Sequence, residues 1–136
     1  MKKLAFIALL SVGVAVAVPL FAHHSSAAMD SSKTVTIDGV VKEFRWGNPH
    51  CWLDVEAPDA KGAKALWSFE MTSPQILARA GWKSSTIKFG DKVKVVGNPM
   101  RNGDPGGLFV RVTLPDGKVM SQQGQPAPAA ATPPAR

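Results

Sequence analysis

The sequence has no tyrosine, a single cysteine (Cys51) and three histidines (His23, His24 and His50) in 136 residues. One cysteine excludes an intramolecular disulfide framework and the multi-cysteine zinc modules, both of which need several thiols. The length leaves room for one domain and excludes a large multi-domain enzyme. No phosphate-cradling glycine loop, nucleophile elbow or paired-cysteine motif is present. General acid–base work would need carboxylates or a histidine held in a cleft. Asp54 and Glu56 instead alternate along one segment, in the pattern of a solvated strand. A binding role rather than catalysis is therefore expected.

Lys2 and Lys3 precede an uncharged run from Leu4 to Ala22, broken at Pro19. A charged start, an apolar stretch and a small-residue exit are the parts of a secretory signal. Residues 1–22 are expected to be removed on export to a bacterial periplasm. No membrane span is expected afterwards, because the run contains Ser11, Gly13 and Pro19 and is followed by His-His-Ser-Ser rather than a basic flank. Cleavage after Ala22 makes His23 the new N-terminus, whereas cleavage after Ala27 or Ala28 discards both His23 and His24; the first is favoured because it directly follows the apolar run. Export lowers the formal charge from +6 to +4, since Lys2 and Lys3 are lost. A mild charge on scattered lysines does not make a nucleic-acid footprint.

Residues 23–30 read as a flexible N-terminal segment, and residues 121–136, rich in Pro, Ala and Gln, as a disordered tail. Between them, residues 31–120 carry five strand-like segments. Val35 to Trp46 holds two apolar phases with Gly39 between them, which predicts a long bent strand with a glycine bulge. In His50 to Glu56, Cys51, Leu53 and Val55 alternate with His50, Trp52, Asp54 and Glu56, so Cys51 is expected in the core. Ala65 to Met71 pairs with it as a hairpin. Ser73 or Thr72, then Pro74 and Gly81, bracket a two-turn helix. Lys92 to Val96 and Leu108 to Leu114 complete the set. This element order predicts an all-β fold with one short helix, a five-stranded OB-like Greek-key barrel.

One motif repeats: Gly47-Asn48-Pro49-His50 follows the first strand and Gly97-Asn98-Pro99-Met100 follows the fourth. Gly-Asn-Pro is good turn chemistry in its own right. It also places His50 and Met100 in the two connections that border the ligand face of an OB-fold, with Trp46 and Trp52 near by. The expectation is that these loops share one end of the barrel. An imidazole and a thioether suit a soft ion such as Cu(I), and an indole face can cover a cation. His23 and His24, with the new amino terminus, add nitrogen ligands suited to Cu(II) or Zn(II). The candidate metal ligands are therefore His23, His24, His50 and Met100, and the candidate ligand-binding residues are Trp46, Asn48, Trp52 and Asn98.

His23-His24-Ser25, Asn48-Pro49-His50, Trp67-Ser68-Phe69-Glu70, Ser73-Pro74, Gly81-Trp82 and Gly90-Asp91-Lys92-Val93 together resemble an uncharacterised family of small exported bacterial periplasmic proteins, over about Ala22 to Lys118. That resemblance implies export and one domain, and carries no activity. The chain is more weakly similar to periplasmic copper chaperones of OB-fold, in which a His, two Met and a Trp hold Cu(I). There the ligands come from two neighbouring strands, whereas Met100 lies in a distant loop. The reading is a soluble periplasmic protein that binds a metal ion, copper or zinc. The alternative is an interaction module that grips an envelope protein or glycan through the aromatic loop face.

Overall fold

The computed structural model describes residues 26–123, and His23 and His24 lie outside them. A 3-10 turn, Ser26–Ala28, leads into β1 (Val35–Arg45), β2 (Trp52–Pro58), β3 (Lys64–Glu70), α1 (Pro74–Arg79), β4 (Lys92–Pro99), β5 (Gly106–Thr113) and β6 (Val119–Ser121). β1 pairs antiparallel with both β2 and β4, β2 with β3, and β4 with β5. A short parallel pairing of β3 with β5, Ser68 opposite Gly106 and Glu70 opposite Leu108, closes the ring. This is the expected closed five-stranded barrel of OB-like topology with one short helix. Closure leaves few unpaired strand edges on a small chain that has no disulfide to staple it.

β1 serves two neighbours because it bends. Its first half pairs with β4 from Val35 opposite Gly97 to Val40 opposite Lys92, and its second half pairs with β2 from Val40 to Arg45. The bulge falls between Val41 and Glu43, not at the glycine expected to carry it. Gly39 instead permits a close crossing, since a Cβ there would lie 2.5 Å from the Glu56 carbonyl oxygen and 2.6 Å from Val55 Cγ1. The strands can approach that closely only where β1 has no side chain.

Period-two alternation sends Leu53, Val55 and Ala57 of β2 and Trp67 and Phe69 of β3 inward. Cys51 is fully buried among them, as expected. Burial pushes its thiol up from the ordinary value, so it stays protonated and inert. The helix forms where the period changes. Ser73 caps it by accepting from the Ile76 amide, Pro74 suits the first turn, and Gly81, at φ +87°, ends it. Leu77 is fully buried, and Trp82, just past the helix, packs against Phe44 and edge-on to Phe109.

The folded unit is longer than residues 31–120 at both ends. Asp30 donates its amide to the Pro99 carbonyl, Arg101 donates its amide to the Ala28 carbonyl, and buried Met29 bridges to Met100. Beyond Met120, Ser121 completes β6 against β5. The Gln122 side chain then accepts from the Thr72 amide and donates to the Phe109 carbonyl at 2.8 Å. That clasp spans the gap left where β3 and β5 diverge. No helix among the described residues is long and apolar enough to cross a membrane.

Candidate functional site

The outer face of β1, β2 and β3 carries two rows of polar side chains. Directly opposed residues on antiparallel strands share a face, so the register sets Arg45, Trp52 and Glu70 side by side, and beneath them Glu43, Asp54 and Ser68. Burying a carboxylate is costly unless it is paired, yet Asp54 is only 6% exposed and Glu70 only 4%. They solve the problem differently.

Asp54 is satisfied from within the sheet. Its Oδ1 accepts from Arg45 Nη2 at 3.0 Å and from Ser68 Oγ at 2.6 Å. The same Arg45 guanidinium lies over the Trp52 ring, 5.5 Å from its centroid. Further along β2, Glu56 faces solvent between Lys64 and Lys42, and its carboxyl is held below the usual range first by the Lys64 hydrogen bond and then by Lys42.

Glu70 is only half satisfied. His50 stands one residue before Cys51, which pairs with Met71 and Thr72 to extend the β2–β3 ladder past Trp52. His50 Nδ1 comes 2.5 Å from Glu70 Oε1, while Oε2 is buried without a hydrogen-bond partner. The histidine side chain itself is 45% exposed. With Glu70 ionised, the bond requires Nδ1 to carry the proton, because a carboxylate only accepts. In the neutral imidazole with Nδ1 protonated, Nε2 keeps the lone pair. A buried carboxylate that fixes the tautomer and orientation of an exposed imidazole is the arrangement that supports a histidine ligand to a metal.

A family model aligns with residues 11–111. The chain belongs to the family of unknown function DUF6152. The DUF6152 match contains β1 to β4, α1 and most of β5, hence His50, Glu70, Asp54, Arg45, Ser68 and Trp52, and ends before β6 and the Gln122 clasp. No curated protein and no solved structure matches the chain.

The other candidate residues in this DUF6152 chain fall in three places. Trp46 lies on the Phe44 side of β1, edge-on to Phe44 at 5.8 Å and packed against the core, so it does not share a face with Trp52. Asn48 is exposed in the β1–β2 loop next to a cis peptide bond to Pro49. Asn98 is engaged in the fold, its side-chain amide donating to the Lys33 carbonyl at 2.7 Å.

Met100 and His50 do not meet at one end of the barrel. β4 runs antiparallel to β1 and finishes beside Val35, the start of β1, while the loop carrying His50 begins after Arg45, its end. The two Gly-Asn-Pro connections therefore leave by opposite ends of β1. Met100 belongs to a second cluster, in which residues 26–33 dock on the β4–β5 loop. There Asp30 accepts from Ser32 and lies near Lys33 and Arg101. The Ser32 hydroxyl first, and Lys33 next, hold the Asp30 carboxyl down at about 2.

Sequence reasoning singled out His50 and Trp52 and missed their partners. Glu70, Ser68 and Arg45 are each ordinary in one dimension. The available signal was the cross-strand match, since polar Ser68 and Glu70 alternate with apolar Trp67 and Phe69 opposite a strand that alternates Trp52 and Asp54.

Proposed function

We propose that the protein is an exported periplasmic binding protein that holds a metal ion, copper or zinc, at His50, and that it is not an enzyme. The observation that carries this reading is the His50–Glu70 pair at 2.5 Å, in which a buried carboxylate with one unpartnered oxygen fixes an exposed imidazole. A buried polar atom without a partner calls for one, and a bound ion or water is among the groups that supply it. A metal on Nε2 would turn the Nδ1–H bond into support for the ligand. Among the described residues no group of three His, Cys, Asp or Glu side chains is assembled for a metal. The reading therefore needs ligands from elsewhere, and His23 and His24 supply them.

The docking of residues 27 and 28 bears on that supply. Ala28 and Ala27 are tied to Arg101 in the β4–β5 loop, and that loop borders β3 at Gly106 opposite Ser68, two residues from Glu70. Adjacent strands are roughly 4.8 Å apart. His23 and His24 precede Ala27 by four and three residues in sequence, and a metal site at His50 requires one of their imidazoles to meet the face that holds Glu70.

The alternative, an envelope protein or glycan gripped by an aromatic face, keeps less support. Trp46 is packed against the core, and one face of Trp52 is covered by Arg45. Calorimetric titration of the purified protein with Zn(II) and Cu(II) tests the proposal. A 1:1 complex of micromolar affinity or tighter, lost in His50→Ala, is expected. Binding that His50→Ala leaves intact, or none at all, would refute it.

A further inference from the structure

The outer face continues along β2 past Asp54 into a row of different character. Register sets Lys92, Val40, Glu56 and Leu66 side by side across β4, β1, β2 and β3, and directly opposed residues share a face. At the β3 end of that row Leu66 is 54% exposed. Just before β4, at the tip of the turn from Lys88 to Asp91, Phe89 is 78% exposed. The turn itself is well held. The Lys88 amide donates to Asp91 Oδ2 at 2.9 Å, the Gly90 amide donates to the Val41 carbonyl, and the Val41 amide donates to the Asp91 carbonyl. Such a turn asks for no aromatic side chain, and leaving phenylalanine in water forgoes the gain of burying it.

Lysines scattered through the sequence gather on this side. Lys42 Nζ lies 5.9 Å from the centroid of the Phe89 ring, Lys88 and Lys92 flank Phe89 in the chain, and Lys61 and Lys64 stand at the hairpin beyond Leu66. The carboxylates near them are already engaged. Glu56 pairs with Lys42 and Lys64, Asp38 pairs with Lys94, and Asp59 and Asp91 accept from backbone amides of their own turns. Lys61, Lys88 and Lys92 have no ion-pair partner among the described residues. Lys92 also lines, with Val40, Lys94, Leu114 and Pro115, an open groove of about 580 Å³ beside β1, β4 and the end of β5. We propose that this patch docks on the surface of an anionic phospholipid bilayer, with Phe89 entering the interface and the lysines meeting the lipid phosphates. A bilayer offers an apolar layer directly beneath a sheet of negative charge, and lysine stems reach the phosphates while an aromatic beside them goes deeper. An acidic protein would match the charge but would need a pocket of its own for Phe89. Nothing in this contact involves His50, so it is independent of metal binding.

The test is flotation of the purified protein with vesicles of phosphatidylglycerol and phosphatidylcholine, against vesicles of phosphatidylcholine alone. Binding to the anionic vesicles is expected, and its loss at about 1 M salt, where the screening length falls to roughly 3 Å. A lysine near an anionic surface contributes about fivefold, so Lys88→Ser combined with Lys92→Ser is expected to weaken binding by about 25-fold. Phe89→Ser is expected to weaken it by about 10-fold. These positions are exposed, and native circular dichroism of each variant checks the fold. His50→Ala is expected to bind vesicles as the parent does. No preference for anionic vesicles would overturn the proposal, as would binding that both the lysine and the Phe89 variants keep, including binding through the apolar run of residues 4–22. Self-association in sedimentation that Phe89→Ser abolishes, without vesicle binding, would overturn it in favour of a second copy of the chain. Capture by poly-glutamate but not by vesicles would overturn it in favour of an acidic protein.

Discussion

His50 Nδ1 stands 2.5 Å from Glu70 Oε1, and the other oxygen of that carboxylate is buried without a hydrogen-bond partner. A buried acceptor left unsatisfied costs about 1–3 kcal/mol. The pair is thus poor for stability and suited to holding a ring in place. Glu70→Met should remove the penalty at similar volume, raising stability by about 1 kcal/mol or leaving it neutral, and should lose metal binding. Urea denaturation checks the first half; a loss of stability above about 2 kcal/mol would mean that Glu70 is a structural residue.

Asp54 gives the opposite expectation. Its carboxylate is paired on both sides, and removing one partner of a buried pair is destabilising by a few kcal/mol. Arg45 is partly exposed, so Arg45→Met is expected to cost less, about 1–3 kcal/mol. In the Asp54→Asn background the same change should cost much less, because the charge it strands is gone. A double-mutant cycle by chemical denaturation reads the coupling, and simple additivity would show that the two groups do not depend on one another.

Much of the fold was legible because apolar alternation and turn chemistry are local. Cys51, Leu53 and Val55 declared one face of β2, and Ser73, Pro74 and Gly81 bracketed α1. The bulge beyond Val41, β6 and the Gln122 clasp were not legible. Each depends on which strand lies beside which, and a three-residue strand such as Val119–Ser121 has too little pattern to announce itself. The site divided the same way. His50 was visible as a rare residue in a repeated motif, whereas Glu70 acquires meaning only from register. The expectation that His50 and Met100 share one end failed because like motifs in two loops say nothing of the direction in which the strands between them run.

Asp30 makes docking of residues 26–33 sensitive to acid. Its carboxyl is lowered from 3.8 to about 2 by Ser32 and Lys33. A depressed folded-state value contributes stability that is present above the unfolded value and lost as pH falls through the folded one. Protection of the Arg101 amide, which donates to Ala28, should therefore hold above about pH 4 and fall toward pH 2. Hydrogen exchange measures it, and Asp30→Asn should abolish the pH dependence in that window. An unchanged profile in the variant would assign the effect to other carboxyl groups.

The Gln122 side chain joins the Thr72 amide to the Phe109 carbonyl across the β3–β5 gap. Gln122→Ala orphans two partly buried backbone groups, an expected loss of about 1–3 kcal/mol. Thermal denaturation checks it; an unchanged Tm would show that water satisfies both groups.

If Glu70 presents the Nε2 lone pair of His50 to a metal ion, the imidazole nitrogens report it. Long-range 1H–15N correlation spectra of the histidines, recorded on the apo protein and during Zn(II) titration, read both the tautomer and the binding. The expected result is His50 in the Nδ1–H tautomer, with its unprotonated Nε2 resonance shifting on addition of Zn(II). An Nε2–H tautomer, or a His50 ring whose resonances ignore the metal, would contradict it.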